Sequence, residues 1–543
     1  MPSAAFDTFA RDRLPPPERL PALVFSLPAL QFPARLNCAT ELLDRWVASG
    51  QGDRACVFGA AADGASIRWS YADLRREANR IARVLVEDLG VIPGHRVLLR
   101  GANSSMLAAC WFAVVKAGAI AVGTMPLLRA RELVAIVHKA QITHALCDAR
   151  LAEELALARP QCPTLKQVLH FNRGTLEDAA AGKPATFDNV DTASDDICVI
   201  AFTSGTTGQP KAAMHFHRDV MAAAACWPPH VLRAKPDDRV IGSPPLAFTF
   251  GLGGLLVFPL SIGASTVLVE KATPDAMPAA IAQYRATLCY TSPTAYRAMA
   301  SAIGNNPGAH DLTSLRKCVS AGEALPAATR KLWKDTTGIE IIDGIGSTEM
   351  FHIFISATEE RARGGATGFV VPGYEARVQD DDGNPLPAGQ VGRLAVRGPT
   401  GCKYLDDERQ THYVQNGWNL TGDAYLVDPA DGQFVYQART DDMIISGGYN
   451  IAGPEVESAL LLHPAVAECG VVGVPDVDRG QIVKAFVVLR PEFAGDAAMT
   501  ETLQDFVKQT VAPYKYPRAI EFRATLPRTE TGKLQRFRLR QGD

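Results

Sequence analysis

No Cys-x-x-Cys pair occurs among the eleven cysteines, which are scattered singly along the chain and are odd in number. That spacing excludes a paired-cysteine zinc knuckle, argues against a disulfide framework and suits a reduced compartment. Charge of one sign is also scarce in excess: 55 Lys and Arg against 58 Asp and Glu leave a net charge of −3. Nothing in that balance attracts nucleic acid or an anionic membrane surface, so no nucleic-acid partner is expected. Asp7, Arg11, Asp12 and Arg13 interrupt the N-terminus before an apolar run can form, so a secretory leader is not expected and a cytoplasmic location is. A long uninterrupted apolar run is missing as well. Residues 106–128 carry one charge, Lys116, but Lys116 and Gly118 divide them into a helix-like part, 106–115, and a strand-like part, 119–122, closed by Pro126. Stable membrane insertion is therefore not expected. No internal repeat is visible.

What remains is an ordinary globular composition, 47% apolar and 21% charged, in a chain of 543 residues. That length exceeds one hydrophobic core and implies at least two domains. Helical periodicity at Leu74, Ala78, Ile81, Ala82 and Leu85 precedes the apolar run 97–99, and the alternation recurs through 264–269, 276–284, 288–290 and 339–342. The fold class read from this is α/β, with largely parallel sheets covered on both faces. After about residue 370, short strands and turn sequences at 381–384 and 428–432 predict hairpins that close the large domain as a β-barrel-like subdomain. Beyond Arg439 the pattern predicts a small α+β unit with a helix over 454–462 and strands over 468–474 and 484–489. Residues 178–196 read as a surface linker.

Residues 203–211, Thr-Ser-Gly-Thr-Thr-Gly-Gln-Pro-Lys, directly follow the apolar run 197–202. Glycines let the backbone approach an anion, hydroxyls and N–H groups donate to its oxygens, and lysine adds charge without fixed geometry. The loop is built for phosphates. It is not a Walker A motif, because Gln209 and Pro210 separate Gly208 from Lys211 and Ala212 follows. Four further segments come in order after it. Asp343-Gly-Ile-Gly-Ser-Thr-Glu349 follows an apolar strand, which would let its polar side chains emerge where open α/β sheets bind ligands. Trp418-Asn-Leu-Thr-Gly-Asp423, Arg439-Thr-Asp-Asp-Met-Ile-Ile-Ser-Gly-Gly448 and Leu526-Pro-Arg-Thr-Glu-Thr-Gly-Lys533 complete the set.

These segments together resemble the signatures of the adenylate-forming superfamily: acyl- and aryl-CoA synthetases, luciferases and peptide-synthetase adenylation domains. The resemblance covers about residues 40–540. It implies a large N-terminal domain, 1–440, and a small mobile C-terminal domain, 441–543, pivoting at Asp441. It also implies three small-molecule partners, ATP with Mg²⁺, coenzyme A and a carboxylic acid, and admits a homodimer. By the same resemblance, Thr203, Ser204, Gly205, Thr206, Thr207, Gly208 and Lys211 hold the ATP phosphates. Gly322, Glu323 and Ala324 line the adenine site, with Asp343 and Gly344 beside the nucleotide. Thr348 contacts the α-phosphate, Glu349 helps to hold Mg²⁺, Asp423 accepts the ribose hydroxyls, and Arg439 binds ribose or phosphate. Lys533 reaches in during adenylation, and Ser446, Gly447 and Gly448 make room for the pantetheine arm of CoA. Ile445 departs from the family pattern, which often has lysine there.

The implied chemistry needs little acid–base work. A carboxylic acid of pKa ~4 is already ionised at pH 7, so its attack on the α-phosphate needs charge neutralisation and no general base. A thiol of pKa ~8.5 is partly thiolate and attacks the acyl adenylate in the second half-reaction. The stretch 244–254 predicts a wall of the acid pocket, with Phe248 and Phe250 offering flat apolar faces and Thr249 a hydroxyl for an ortho-amino group. The stretch 346–353 resembles benzoate-CoA and 2-aminobenzoate-CoA ligases, which places Gly346, His352 and Ile353 in the pocket. The preferred reading is a 2-aminobenzoate-CoA ligase. Benzoate or a medium-chain acyl substrate stands as the alternative, and a nucleotide-binding regulator without catalysis is the reading from another class.

Overall fold

The computed structural model describes residues 2–60, 64–203, 210–439, 442–446, 449–476, 479–511, 513–528 and 534–541, with 445, 449, 450 and 480 described by backbone alone. Near-continuous runs of Val, Ile, Leu and Ala build the interior, because strands buried on both faces cannot alternate with polar residues. Six parallel strands form the centre of a nine-stranded sheet, in the order Ile341–Gly346, Lys317–Ala321, Leu288–Thr291, Arg239–Gly242, Ser265–Leu268 and Ala55–Ala60. Ile353–Ser356 and Phe369–Val370 extend it antiparallel on one side, and Ser66–Ser70 on the other.

A six-stranded sheet runs in the order Gln167–Phe171, His144–Asp148, Arg96–Arg100, Ile120–Thr124, Ile197–Thr203 and Lys211–Phe216. Its first five strands are parallel, and only the last pair is antiparallel. That exception matters to the site. Ile197–Thr203 and Lys211–Phe216 form a hairpin in which Thr203 faces Lys211, so both ends of the phosphate loop start from fixed positions.

The helix over the uncharged segment is Ser105–Lys116, capped by Ser104, whose side chain accepts the Leu107 N–H. Lys116 is buried yet satisfied, donating to Asp44 at 2.6 Å and to Asn189 at 3.2 Å. Among the described residues no helix is long and apolar enough to cross a membrane. All eleven cysteines are free thiols, ten of them buried.

The expected β-barrel-like closure is not formed. The strands Glu375–Gln379, Gly392–Arg397, Trp418–Val427, Val414–Gln415 and Phe434–Arg439 make an open antiparallel sheet. Trp418–Val427 is long enough to pair with three others along its length, so it acts as a spine and the outer strands never meet. Barrel closure requires those outer strands to pair. Here Gly398 and Phe434 are instead bridged by Leu23 and Gly368.

The smaller C-terminal domain is α+β. Tyr449–Ile451, Ile444–Ser446, Gly480–Leu489 and Val466–Asp476 form its sheet, with Ala519–Phe522 parallel to Gly480–Leu489. The two central strands run well past the expected 468–474 and 484–489, pairing from Val466↔Leu489 to Asp476↔Gly480. The helices Gly453–Leu460 and Ala497–Thr510 pack on it. Of the expected linker 178–196, the first residues finish the helix Thr175–Ala181.

Candidate nucleotide and acid site

Period-2 alternation on Lys211–Phe216 puts Lys211, Ala213 and His215 on one face. The segment 403–405 lies along that strand, with Met214 N–H donating to the Lys403 carbonyl at 2.8 Å and Leu405 N–H to the Ala212 carbonyl at 2.9 Å. Tyr404 is thereby held opposite Ala213. Its ring lies under the Lys211 ammonium at 5.4 Å, and its hydroxyl donates to Glu349 Oε1. Burial first, then the Glu349 charge, push the Tyr404 phenol far up, so it stays a donor. Lys211, Tyr404 and Glu349 thus form one connected line of charge and hydrogen bond.

His215 fixes the same loop from below. Its Nε2 lies 2.8 Å from the Thr348 carbonyl, which can only accept, so Nε2 carries the proton. Behind it, Asp219 and Lys403 form a fully buried ion pair at 2.8 Å. Burial opposes ionisation of Asp219, but Lys403 and His215 outweigh it and hold the carboxyl at about 2. Phe351 adopts the left-handed region, φ 71°, with its ring edge-on to His215. A non-glycine residue there costs on the order of 1–3 kcal/mol. The turn lets the chain leave Glu349 and drive His352 into the core.

Asp423 and Arg439 are cross-strand partners joined by a 3.2 Å ion pair. Arg439 also donates to the Thr421 carbonyl at 3.0 Å. Gly422 has φ 77°, in the left-handed region that favours glycine. Glu323 follows Gly322, which has φ 91°, accepts from Thr294 at 2.8 Å and faces Arg528 of the small domain at 3.8 Å. Asp343 and Gly344 do not emerge from the strand end. They lie within Ile341–Gly346, paired with Ser320 and Ala321, and Asp343 is buried. Among the described residues Asp343 Oδ1 has no hydrogen-bond partner, and burial raises the carboxyl to about 7.

An aromatic cluster surrounds His352: its ring lies 4.4 Å from Phe258, 5.5 Å from Phe250 and 5.6 Å from Trp227, centroid to centroid. Tyr290 closes the group at 5.9 Å from Phe250. Gly253 and Gly346 allow this packing, because a Cβ at either would stand within 2.6 Å of His352. Ile353 packs against Gly344. Burial lowers the His352 imidazole to about 3, opposed by the Phe250 backbone, and neither ring nitrogen has a hydrogen-bond partner among the described residues. Phe248 and Thr249 line a cavity with Leu107, Trp111, Ala121 and Leu256.

A family model of AMP-binding enzymes matches residues 43–404, and the model of their C-terminal domain matches 455–533. The chain belongs to the AMP-binding enzymes. It is an acid–thiol ligase of the AMP-forming kind. The chain is 36% identical to a benzoate–CoA ligase of Thauera aromatica, over 94% of this chain and 97% of that protein. The solved anthranilate CoA ligase in complex with anthranoyl-AMP superposes with a TM-score of 0.89 at 36% identity, covering 95% and 99% of the two chains. A benzoate CoA ligase from Burkholderia xenovorans superposes at 0.84 with 32% identity, covering 93% and 100%.

In this AMP-binding enzyme, Ser204, Gly205, Thr206, Thr207, Gly208, Asp441, Gly447, Gly448 and Lys533 lie outside the described residues. Thr203, Lys211, Thr348 and Glu349 converge, and Asp423 pairs with Arg439. Ser446 is buried in the small domain's sheet, 3.3 Å from the Arg479 guanidinium, and makes no bond to the site. Sequence reasoning missed Tyr404, His215, Asp219 and Lys403. The alternation of Lys211 with His215 was a usable signal for one of them, since it assigns both to the same face.

Proposed function

We propose that the enzyme is an ATP-dependent aryl-CoA ligase that prefers 2-aminobenzoate. Aryl carboxylate and ATP give aryl-AMP and pyrophosphate, and attack by the CoA thiol then gives aryl-CoA and AMP. The observation that carries the substrate reading is His352, a buried neutral imidazole among aromatic rings with both nitrogens unbonded. A flat ring suits those faces. An amino group ortho to the carboxylate could donate to the free nitrogen, whereas benzoate would leave it unpaired. That difference is worth roughly 1–3 kcal/mol. The anthranilate and benzoate ligases among its relatives support the aryl class.

Glu349 suits magnesium, because one oriented carboxylate together with substrate phosphates is the set that ion takes. Magnesium would supply charge neutralisation at the phosphates. Lys211 would add positive charge from the hairpin, Tyr404 would orient the Glu349 carboxylate, and Asp423 would hold the ribose. Lys533 would complete the neutralisation in adenylation, and residues 441–543 would then turn about Asp441 to admit CoA. Buried free thiols support a reducing, cytoplasmic setting.

The test is the ratio of kcat/KM for 2-aminobenzoate over benzoate, in the native enzyme and in His352→Phe. The ratio should fall about tenfold or more in the variant. An unchanged ratio would remove His352 from the argument.

A further inference from the structure

Cys38, Cys198 and His217 converge at the base of the hairpin that carries the phosphate loop, apart from every residue assigned to ATP or the acid. All three are buried, and their donor atoms lie within 4.8 Å of one another. They come from distant parts of the chain. Cys38 precedes the helical segment Thr40–Asp44, Cys198 is the second residue of Ile197–Thr203, and His217 begins the helix His217–Trp227. His217 Nδ1 lies 3.3 Å from Cys38 Sγ and accepts the Cys38 backbone N–H at 3.1 Å, so the ring edge faces the thiols. Metal–sulfur bonds of ~2.3 Å and metal–nitrogen bonds of ~2.0 Å at tetrahedral angles set neighbouring donors ~3.5 Å apart. The His217 Nδ1–Cys38 Sγ distance of 3.3 Å is close to that, and all three donor atoms fall within 4.8 Å of one another.

We propose that Cys38, Cys198 and His217 form a site for a thiophilic d10 cation, zinc(II) or copper(I). Thiolate and imidazole are donors that both ions accept. Binding of either ion would release a proton from each thiol that becomes a ligand, and no electron moves. The Nδ1 lone pair passes from the Cys38 N–H to the metal. A buried carboxylate, Asp219, also acts on Cys198, and its Oδ2 is held by Lys403 at 2.8 Å. The three-donor set with no fourth side chain among the described residues suits copper(I) without rearrangement, and zinc if a small ligand enters.

A metal here would act on the known reaction through position alone. Cys198 lies five residues before Thr203, and His217 lies two residues after His215, which holds the Thr348 carbonyl. Loading would pin the N-terminal segment to both strands of the hairpin and stiffen the base from which Lys211 and Thr203 project.

The test uses the full-length protein, reduced and stripped with a chelator. Cobalt(II) is titrated as a spectroscopic stand-in, zinc against a chromophoric chelator, and copper(I) anaerobically against a coloured copper(I) chelator. One equivalent should bind, with a thiolate-to-cobalt charge-transfer band in the near ultraviolet. The band should be lost in Cys198→Ser and kept in Cys469→Ser, which removes the least buried thiol. Should Cys198→Ser fail to fold, hydrogen exchange on the native protein decides: metal should slow exchange in 197–203 and at the start of 217–227. Tighter binding of zinc or of copper(I) names the ion. The proposal is overturned if no equivalent binds, if the band survives Cys198→Ser, if binding follows Cys469, or if metal leaves exchange in both segments unchanged.

Discussion

Asp343 sits inside a parallel strand with Oδ1 unpartnered, and its carboxyl is raised from the ordinary 3.8 to about 7. A raised carboxyl means that the folded state keeps a proton the unfolded chain has already lost. Between about pH 4 and pH 7 the folded state therefore binds more protons, and stability falls as pH rises, by up to roughly 4 kcal/mol over the window. Asp343→Asn should remove that slope. Denaturant unfolding of both proteins from pH 4.5 to 7.5 checks it, and parallel profiles would contradict it. At this scale the pairing of Asp423 with Arg439 across two strands appears only in the structure, and the sequence named the two residues separately through their motifs. It was silent about Tyr404 and Glu349, which meet across 55 residues of chain through a hydrogen bond that no spacing encodes. It was misleading about Asp343, because the rule that polar groups emerge at strand ends does not say which residue ends the strand. Thr249 shows a similar difficulty: adjacent helical residues point about 100° apart, so Phe250 can face His352 while Thr249 lines another cavity.

The hairpin formed by Ile197–Thr203 and Lys211–Phe216 is the element on which the proposed nucleotide site depends. Its first strand was legible from the apolar run before the loop, and the loop itself from its glycines and hydroxyls, but the returning strand Lys211–Phe216 was not read from the sequence. The third strand-like segment, 403–405, was not, since it adds only a few backbone bonds and no apolar alternation. Tyr404 reaches Glu349 from that segment and is a positioning residue. Loss of a hydrogen bond to a charged group costs about 1.5–3 kcal/mol. Tyr404→Phe should accordingly slow aryl-adenylate formation tenfold or more and raise the magnesium concentration needed for half-maximal rate, with the fold intact. Pyrophosphate exchange at varied magnesium reads both quantities. A slower rate with an unchanged magnesium requirement would contradict the positioning role. The barrel expectation failed at this same scale: turn sequences announce hairpins, but only strand length and bulges decide whether the outer strands meet, and Trp418–Val427 is long enough to keep them apart.

Across the whole molecule, the two domains touch where Arg528 faces Glu323 at 3.8 Å and Arg297 donates to the Val466 carbonyl at 3.3 Å. Ser446 stays within the small domain in this arrangement. The proposed turn about Asp441 would break these contacts between half-reactions, so Asp441→Pro should spare adenylation and impair thioester formation. Equal loss in both half-reactions, measured separately, would count against a pivot there. The α/β class and the small C-terminal unit were legible because hydrophobic periodicity is a property of long stretches. How the domains dock was not, because contacts such as Arg528 with Glu323 join residues far apart in the chain that no local pattern relates. The most direct measurement of the whole account is AMP formation from ATP with 2-aminobenzoate, benzoate, 4-hydroxybenzoate and hexanoate, each with and without coenzyme A. The account predicts CoA-dependent turnover led by 2-aminobenzoate; turnover led by hexanoate would contradict the aryl pocket built around Phe250 and His352.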